Sequence, residues 1–142
     1  MAQSARIYLV ENSLVRTVTL AEVQEKLLHY MDNARKTGAQ LGWDYEAAAF
    51  PYRIEEKTSA DNSSWLLLRG TDAKQYQYII IGVGSDEQTG QETTYIQITL
   101  PEVATHGDKN KANEFARFLA RSFRGELHLF NGRVQFFQPR KA

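Results

Sequence analysis

His106, Asp108, Lys109 and Lys111 fall within six residues, in the stretch HGDKNK, at the start of an amphipathic run. Two kinds of chemistry could use them. A helix opening here would present free amides and the positive end of its dipole, and the lysines and histidine would add charge and donors. That is a cradle for phosphate or another anion. Alternatively His106, oriented by Asp108, could serve as a general base, because an imidazole titrates near neutrality. Both readings compete with a plain one. Asp108 is a favoured helix N-cap, Asn110 is a rival cap, and a helix beginning this way needs no ligand. Asp108 would also repel a phosphate, and lysines in a first turn oppose the dipole. The solvated helix start is favoured, and these four residues stand as the candidate ligand site. No catalytic residue is assigned.

Other chemistry finds less support. The chain of 142 residues has no cysteine, which excludes a thiol nucleophile, a thiolate metal site and a disulfide framework. No G-x-S-x-G turn is present, and Ser85 leads into a polar stretch rather than a helix. Gly82-Val83-Gly84 lacks the third glycine and the following helix of a dinucleotide site. His29, His106 and His128 are too far apart for metal-ligand spacing, so neither metal nor cofactor is expected. His29 reads as solvated and His128 as a half-buried structural residue.

A second candidate is a surface rather than a pocket. Arg117, Arg121 and Arg124 recur at helical spacing on the outer side of the second helix. The plain reading has Arg121 and Arg124 complement the end of the helix dipole. The functional reading joins them to Arg133, Arg140 and Lys141 and to exposed Phe130 or Phe137, as a basic and aromatic interaction surface. Lys plus Arg and Asp plus Glu number 17 each, and no RNA-binding motif is present. A protein partner or a second copy of the chain is therefore favoured there, and nucleic acid disfavoured. The charge is unevenly spread: residues 1–100 carry 9 basic and 13 acidic side chains, residues 101–142 carry 8 and 4.

These residues need elements to hold them. RIYLV (6–10) and VRTV (15–18) read as strands. Thr19 and Glu22 form a capping box, and Leu20, Val23, Leu27, Met31 and Ala34 follow at helical spacing up to a stop at Gly38. Residues 43–50 are ambiguous between helix and strand. Strands are expected at 52–57, 65–69, 76–83 and 93–100, with YIIIGVG as a central strand covered on both faces. Residues 85–92 read as a long hairpin loop and 58–64 as a shorter one. The second helix runs from about 108 to 123 with Ala112, Phe115 and Leu119 inward. Asn131-Gly132 predicts a type I′ hairpin with Leu127, Leu129, Val134 and Phe136 on one apolar face.

The strings AAFPY (48–52), YIIIGVG, ATHGDKNKANEF and GELHLFNGR, in this order along nearly the whole chain, resemble a small domain-of-unknown-function family from bacilli and their relatives. The resemblance implies a compact cytoplasmic protein and carries over no catalytic or ligand residue. The absence of a signal-peptide core or a long apolar run leads to the same compartment and to no membrane partner. The expected architecture is one α+β domain: a mostly antiparallel sheet of six to eight strands with two amphipathic helices, in the order ββα-ββββ-αββ. Its expected role is a non-catalytic binding or regulatory module, with a small enzyme or anion-ligand protein as the alternative.

Overall fold

A computed structural model describes residues 3–42, 49–72, 74–88 and 91–137. Seven antiparallel strands form one open sheet, and two helices lie against it. The elements are β1 (Gln3–Tyr8), α1 (Leu20–Leu41), β2 (Tyr52–Thr58), β3 (Ser64–Gly70), β4 (Tyr78–Gln88), β5 (Gln91–Leu100), α2 (His106–Phe123), β6 (Glu126–His128) and β7 (Val134–Phe136). Across the sheet the order is β2-β3-β4-β5-β1-β6-β7, so β2 and β7 are the edges. The α+β arrangement and the number of strands are as expected. The run 15–18 forms no strand; Val18 is buried in the core and Val15 packs, partly buried, against it.

Both helices pack on one face. α1 begins at the expected capping box, with Thr19 Oγ1 accepting from the Glu22 amide at 3.2 Å and Glu22 returning to the Thr19 amide at 3.0 Å. It does not stop at Gly38, which is buried inside the helix. It runs one turn further and ends at Gly42, whose φ of 76° is the left-handed cap that Gly38 was expected to supply. The core joins Val23 and Leu27 of α1 and Phe115 and Leu119 of α2 to Ile7, Leu66, Leu68, Ile79, Ile81, Ile96, Ile98 and Leu127 from the sheet. Fully burying each such side chain contributes about 1.5–3 kcal/mol.

The other face of the sheet carries no helix among the described residues. Alternation places Trp65, Leu67, Ile80, Tyr95, Gln97 and Arg6 there. YIIIGVG is thus covered on one side only: Ile79 and Ile81 are buried and Ile80 is half-exposed. Nor do residues 85–92 form a long loop. β4 and β5 stay in register to Gln88 and Gln91, making a two-stranded ribbon beyond the main sheet. Of the ambiguous residues 43–50, residues 43–48 lie outside the described residues, and Ala49 and Phe50 are buried.

The last hairpin departs from expectation by one residue. The Gly132 amide donates to the Leu129 carbonyl at 3.0 Å, and the Leu129 amide to the Arg133 carbonyl at 2.8 Å. Gly132 has a φ of 84°, whereas Asn131 is not in the left-handed region. This is a three-residue loop, a turn closed by a glycine bulge, rather than a two-residue type I′ turn. The extra residue pairs Leu127 with Gln135 and His128 with Val134. A one-residue shift exchanges the faces of a strand. Leu127 and Leu129 remain buried, while Val134 and Phe136 turn outward and are 39% and 67% exposed.

Candidate functional site

The opening of α2 is built from Thr105, not Asp108. Thr105 is the N-cap, and its hydroxyl accepts from the Asp108 amide at 3.1 Å. Asp108 sits at the third helical position and is fully buried. Its carboxylate accepts from the Tyr52 hydroxyl at 2.5 Å, from the Gln77 amide at 2.9 Å and from the Thr105 amide at 2.9 Å. One carboxylate thus ties α2 to β2 and to the segment entering β4. Burial, and then the hydrogen bond to Asp108, push the Tyr52 phenol pKa far up. Gly107 permits this approach, since a β-carbon there would lie 2.6 Å from the Gln75 carbonyl oxygen.

The four candidate residues therefore divide. His106 and Lys109 are exposed on the rim of a cleft of about 320 Å³, shared with Gln3, Pro101, Glu102 and Thr105. Asp108 does not line that cleft, because its oxygens face the interior and are occupied. Lys111 is paired with Glu114 at 3.0 Å. The arrangement offers a helix cap that serves the fold, with one histidine and one lysine at its margin. No shared proton between His106 and Asp108 is set up, since the acceptors of Asp108 are committed elsewhere. Residues missed from sequence are Tyr52, Gln77 and Thr105. Only Thr105 left a signal: T-H-G-D is a capping-box pattern of the kind read at Thr19.

The second candidate surface comes together differently. Arg117, Arg121, Arg124 and Arg133 are exposed, and Arg124 occupies the left-handed C-cap of α2 with a φ of 54°. The Arg121 guanidinium stands 6.0 Å from the centroid of Phe137. Phe130 and Phe137 are half-buried and pack against the core, so neither is the exposed anchor expected of it. The exposed apolar groups are Val134 and Phe136, which the shifted register turned outward.

β7 is also an open edge. The Leu129 amide bonds Arg133 and the Phe137 amide bonds the Gly125 carbonyl at 3.1 Å, which makes these two the hydrogen-bonded pairs. Alternation along an antiparallel ladder makes Leu127–Gln135 the next such pair. The backbone groups of Val134 and Phe136 therefore point away from β6, off the edge of the sheet. Among the described residues, the strand offers unpaired backbone and exposed apolar side chains at the same two residues. On its other side, facing the helix layer, stand Gln135, Arg133 and the Arg121–Phe137 contact.

The uncovered sheet face is more self-contained. Glu55 bonds Arg69 at 2.5 Å and Lys57 at 3.1 Å, and these cations hold its carboxyl below the usual carboxylate range. The Arg6 guanidinium lies 4.2 Å from the Tyr95 ring centroid and bonds Gln97 at 2.9 Å. Among the described residues no group of three or more acidic or histidine side chains is placed to hold a metal ion. No described helix is long and apolar enough to cross a membrane.

The family model for "Domain of unknown function (DUF1885)" matches residues 3–139. A solved structure described as "Crystal Structure of Protein of Unknown Function from Bacillus stearothermophilus" is similar at 44% sequence identity. The match covers 85% of this chain and 90% of that one, with a TM-score of 0.57. The chain matches none of the curated proteins with which it was compared.

Proposed function

The chain belongs to the DUF1885 family of domains of unknown function, and from that premise we propose that it is a non-catalytic binding module that docks a protein partner along β7. The observation that carries this reading is the coincidence at Val134 and Phe136 of exposed apolar side chains with outward-pointing backbone groups. A hydrophobic edge strand is a liability that folded proteins blunt with charge, proline or a covering element. Among the described residues no proline and no covering element protects β7, a strand of three residues whose charge stands beside it on Arg133 and Arg121. Retaining such an edge makes sense where a partner covers it, by adding a strand and burying the phenyl ring. Arg121 and Arg133 beside the edge give the same surface a sign, which serves orientation and association rate.

The test compares what the chain retains from a native cytosolic extract, eluted in steps of salt, with what a Val134→Ser, Phe136→Ser double variant retains. A Trp65→Ser variant, altered on the uncovered sheet face, serves as control. A protein held by the wild type and by the Trp65 variant, and lost from the edge variant, is the expected outcome. Identical retention by all three would remove the reading.

A further inference from the structure

We infer that the partner of β7 is an extended segment of another protein in which apolar and acidic residues alternate. The inference rests on the reading that β7 is a docking edge and adds the chemistry of what docks. A strand added to an edge sends successive side chains to opposite faces. On one face it meets Val134 and Phe136, 39% and 67% exposed. On the other it meets Arg133 and Arg121, the latter held over Phe137, with Arg124 close by at the end of α2. An incoming strand that satisfies both faces carries apolar residues at every second position and carboxylates between them. Its backbone would bond the amides and carbonyls of Val134 and Phe136, which β6 leaves unpaired.

Charge decides between this occupant and a second copy of the chain. Antiparallel self-pairing about Gln135 would set Val134 of one copy opposite Phe136 of the other, an acceptable apolar match. It would also bring two sets of Arg121, Arg124 and Arg133 to one side of the joined sheet. Like charges facing one another across strands are destabilising. Arg140 and Lys141, the other basic residues read into this surface, lie outside the described residues. An acidic strand removes the repulsion.

The probe is a short capped peptide alternating Glu and Val, with a Lys and Val peptide of the same length as control, followed by fluorescence anisotropy at several salt concentrations. The acidic peptide is expected to bind with an affinity that falls as salt rises. The basic peptide should bind at least roughly tenfold more weakly. The edge double variant should lose binding, and an Arg121→Gln, Arg133→Gln variant should bind more weakly with a flatter salt dependence. Thermal melts would verify that these variants, all at exposed positions, remain folded. Hydrogen exchange provides the readout specific to strand addition: the amides of Val134 and Phe136 slow on binding, while that of Gln135, already bonded within the sheet, changes little. Equal binding of the two peptides, absence of binding at low salt, or unchanged exchange at Val134 and Phe136 would each overturn the inference. So would a concentration-dependent dimer in sedimentation that the edge variant abolishes. An edge-dependent partner in the extract, combined with no peptide binding, would discard the alternating acidic segment and leave β7 as a docking edge; loss of both would discard the edge as well.

Discussion

At the scale of single residues, Asp108 is the clearest case of a group whose type invites one role and whose surroundings assign another. A carboxylate beside a histidine and two lysines reads as part of a site, yet this one is fully buried and accepts from Tyr52, Gln77 and Thr105. Replacing Asp108 by Ala strands those donors in the interior at about 1–3 kcal/mol each. The variant should lose roughly 3 kcal/mol or more in denaturant melts, whereas His106→Ala, at an exposed position, should stay within about 0.5 kcal/mol. The Tyr52 phenol adds a pH dependence. Its folded pKa is raised above the ordinary 10.0, so the unfolded chain ionises first. Stability from this group is intact below about pH 10 and falls above it, by about 1.4 kcal/mol per pH unit while the folded phenol stays protonated. Urea melts at pH 9 and pH 11 should show that slope in the wild type and a shallower one in Tyr52→Phe. Equal slopes would mean that Tyr52 ionises as readily in the fold as in the free chain.

At the scale of elements, two glycines separate conformational from packing requirements. Gly132 has a φ of 84°, and a β-carbon there would meet nothing within 4 Å, so its constraint is backbone conformation. Gly132→Ala should cost about 1–2 kcal/mol, and Gly132→Asn less, because asparagine tolerates the left-handed region. Gly125, where β6 begins behind α2, is limited by space instead. A β-carbon there would lie 2.6 Å from Ile7 Cγ2. Gly125→Ala should therefore destabilise unless β1 shifts, and in a double-mutant cycle Ile7→Ala, which removes that Cγ2, should recover part of the Gly125→Ala loss. An absence of recovery in paired melts would show that the contact with Ile7 is not what limits the site. The hairpin itself teaches the same distinction. Asn-Gly signals a turn, and the turn is there, but whether it closes with two residues or three depends on Asn131 staying out of the left-handed region. That single dihedral choice decides which face Val134 and Phe136 occupy.

At the scale of the whole molecule, the sheet is covered on one side and open at both edges among the described residues, and its two edges differ. β2 carries Arg53, Glu55, Glu56 and Lys57 along seven residues, a charged edge that resists pairing with another copy. β7 carries apolar groups instead, next to a basic helix end. The arginines beside β7 should therefore keep the free protein from self-pairing as concentration rises, whereas Arg121→Gln, Arg133→Gln should self-associate and adding Phe136→Lys should reverse that. Light scattering against concentration would check this, and indistinguishable scattering would mean that the edge is already protected.

The sequence by itself determined the architecture. Helical and alternating hydrophobic spacing, the Thr19–Glu22 box and the Asn131-Gly132 turn signal are local features, carried by propensity and pattern, and they led to an α+β fold with two helices and a mostly antiparallel sheet. The partner lists of Asp108 and Arg121 were not legible, because Tyr52 and Gln77 lie 56 and 31 residues away from Asp108 and no spacing rule joins them. Whether YIIIGVG was covered on one face or two depended on where both helices packed, which no strand can report. The outward turn of Val134 and Phe136 was decided only in three dimensions, by one bulged residue. The alternation of a strand is visible in its own residues, but which side of that alternation meets the core is set by the register it takes with its neighbour.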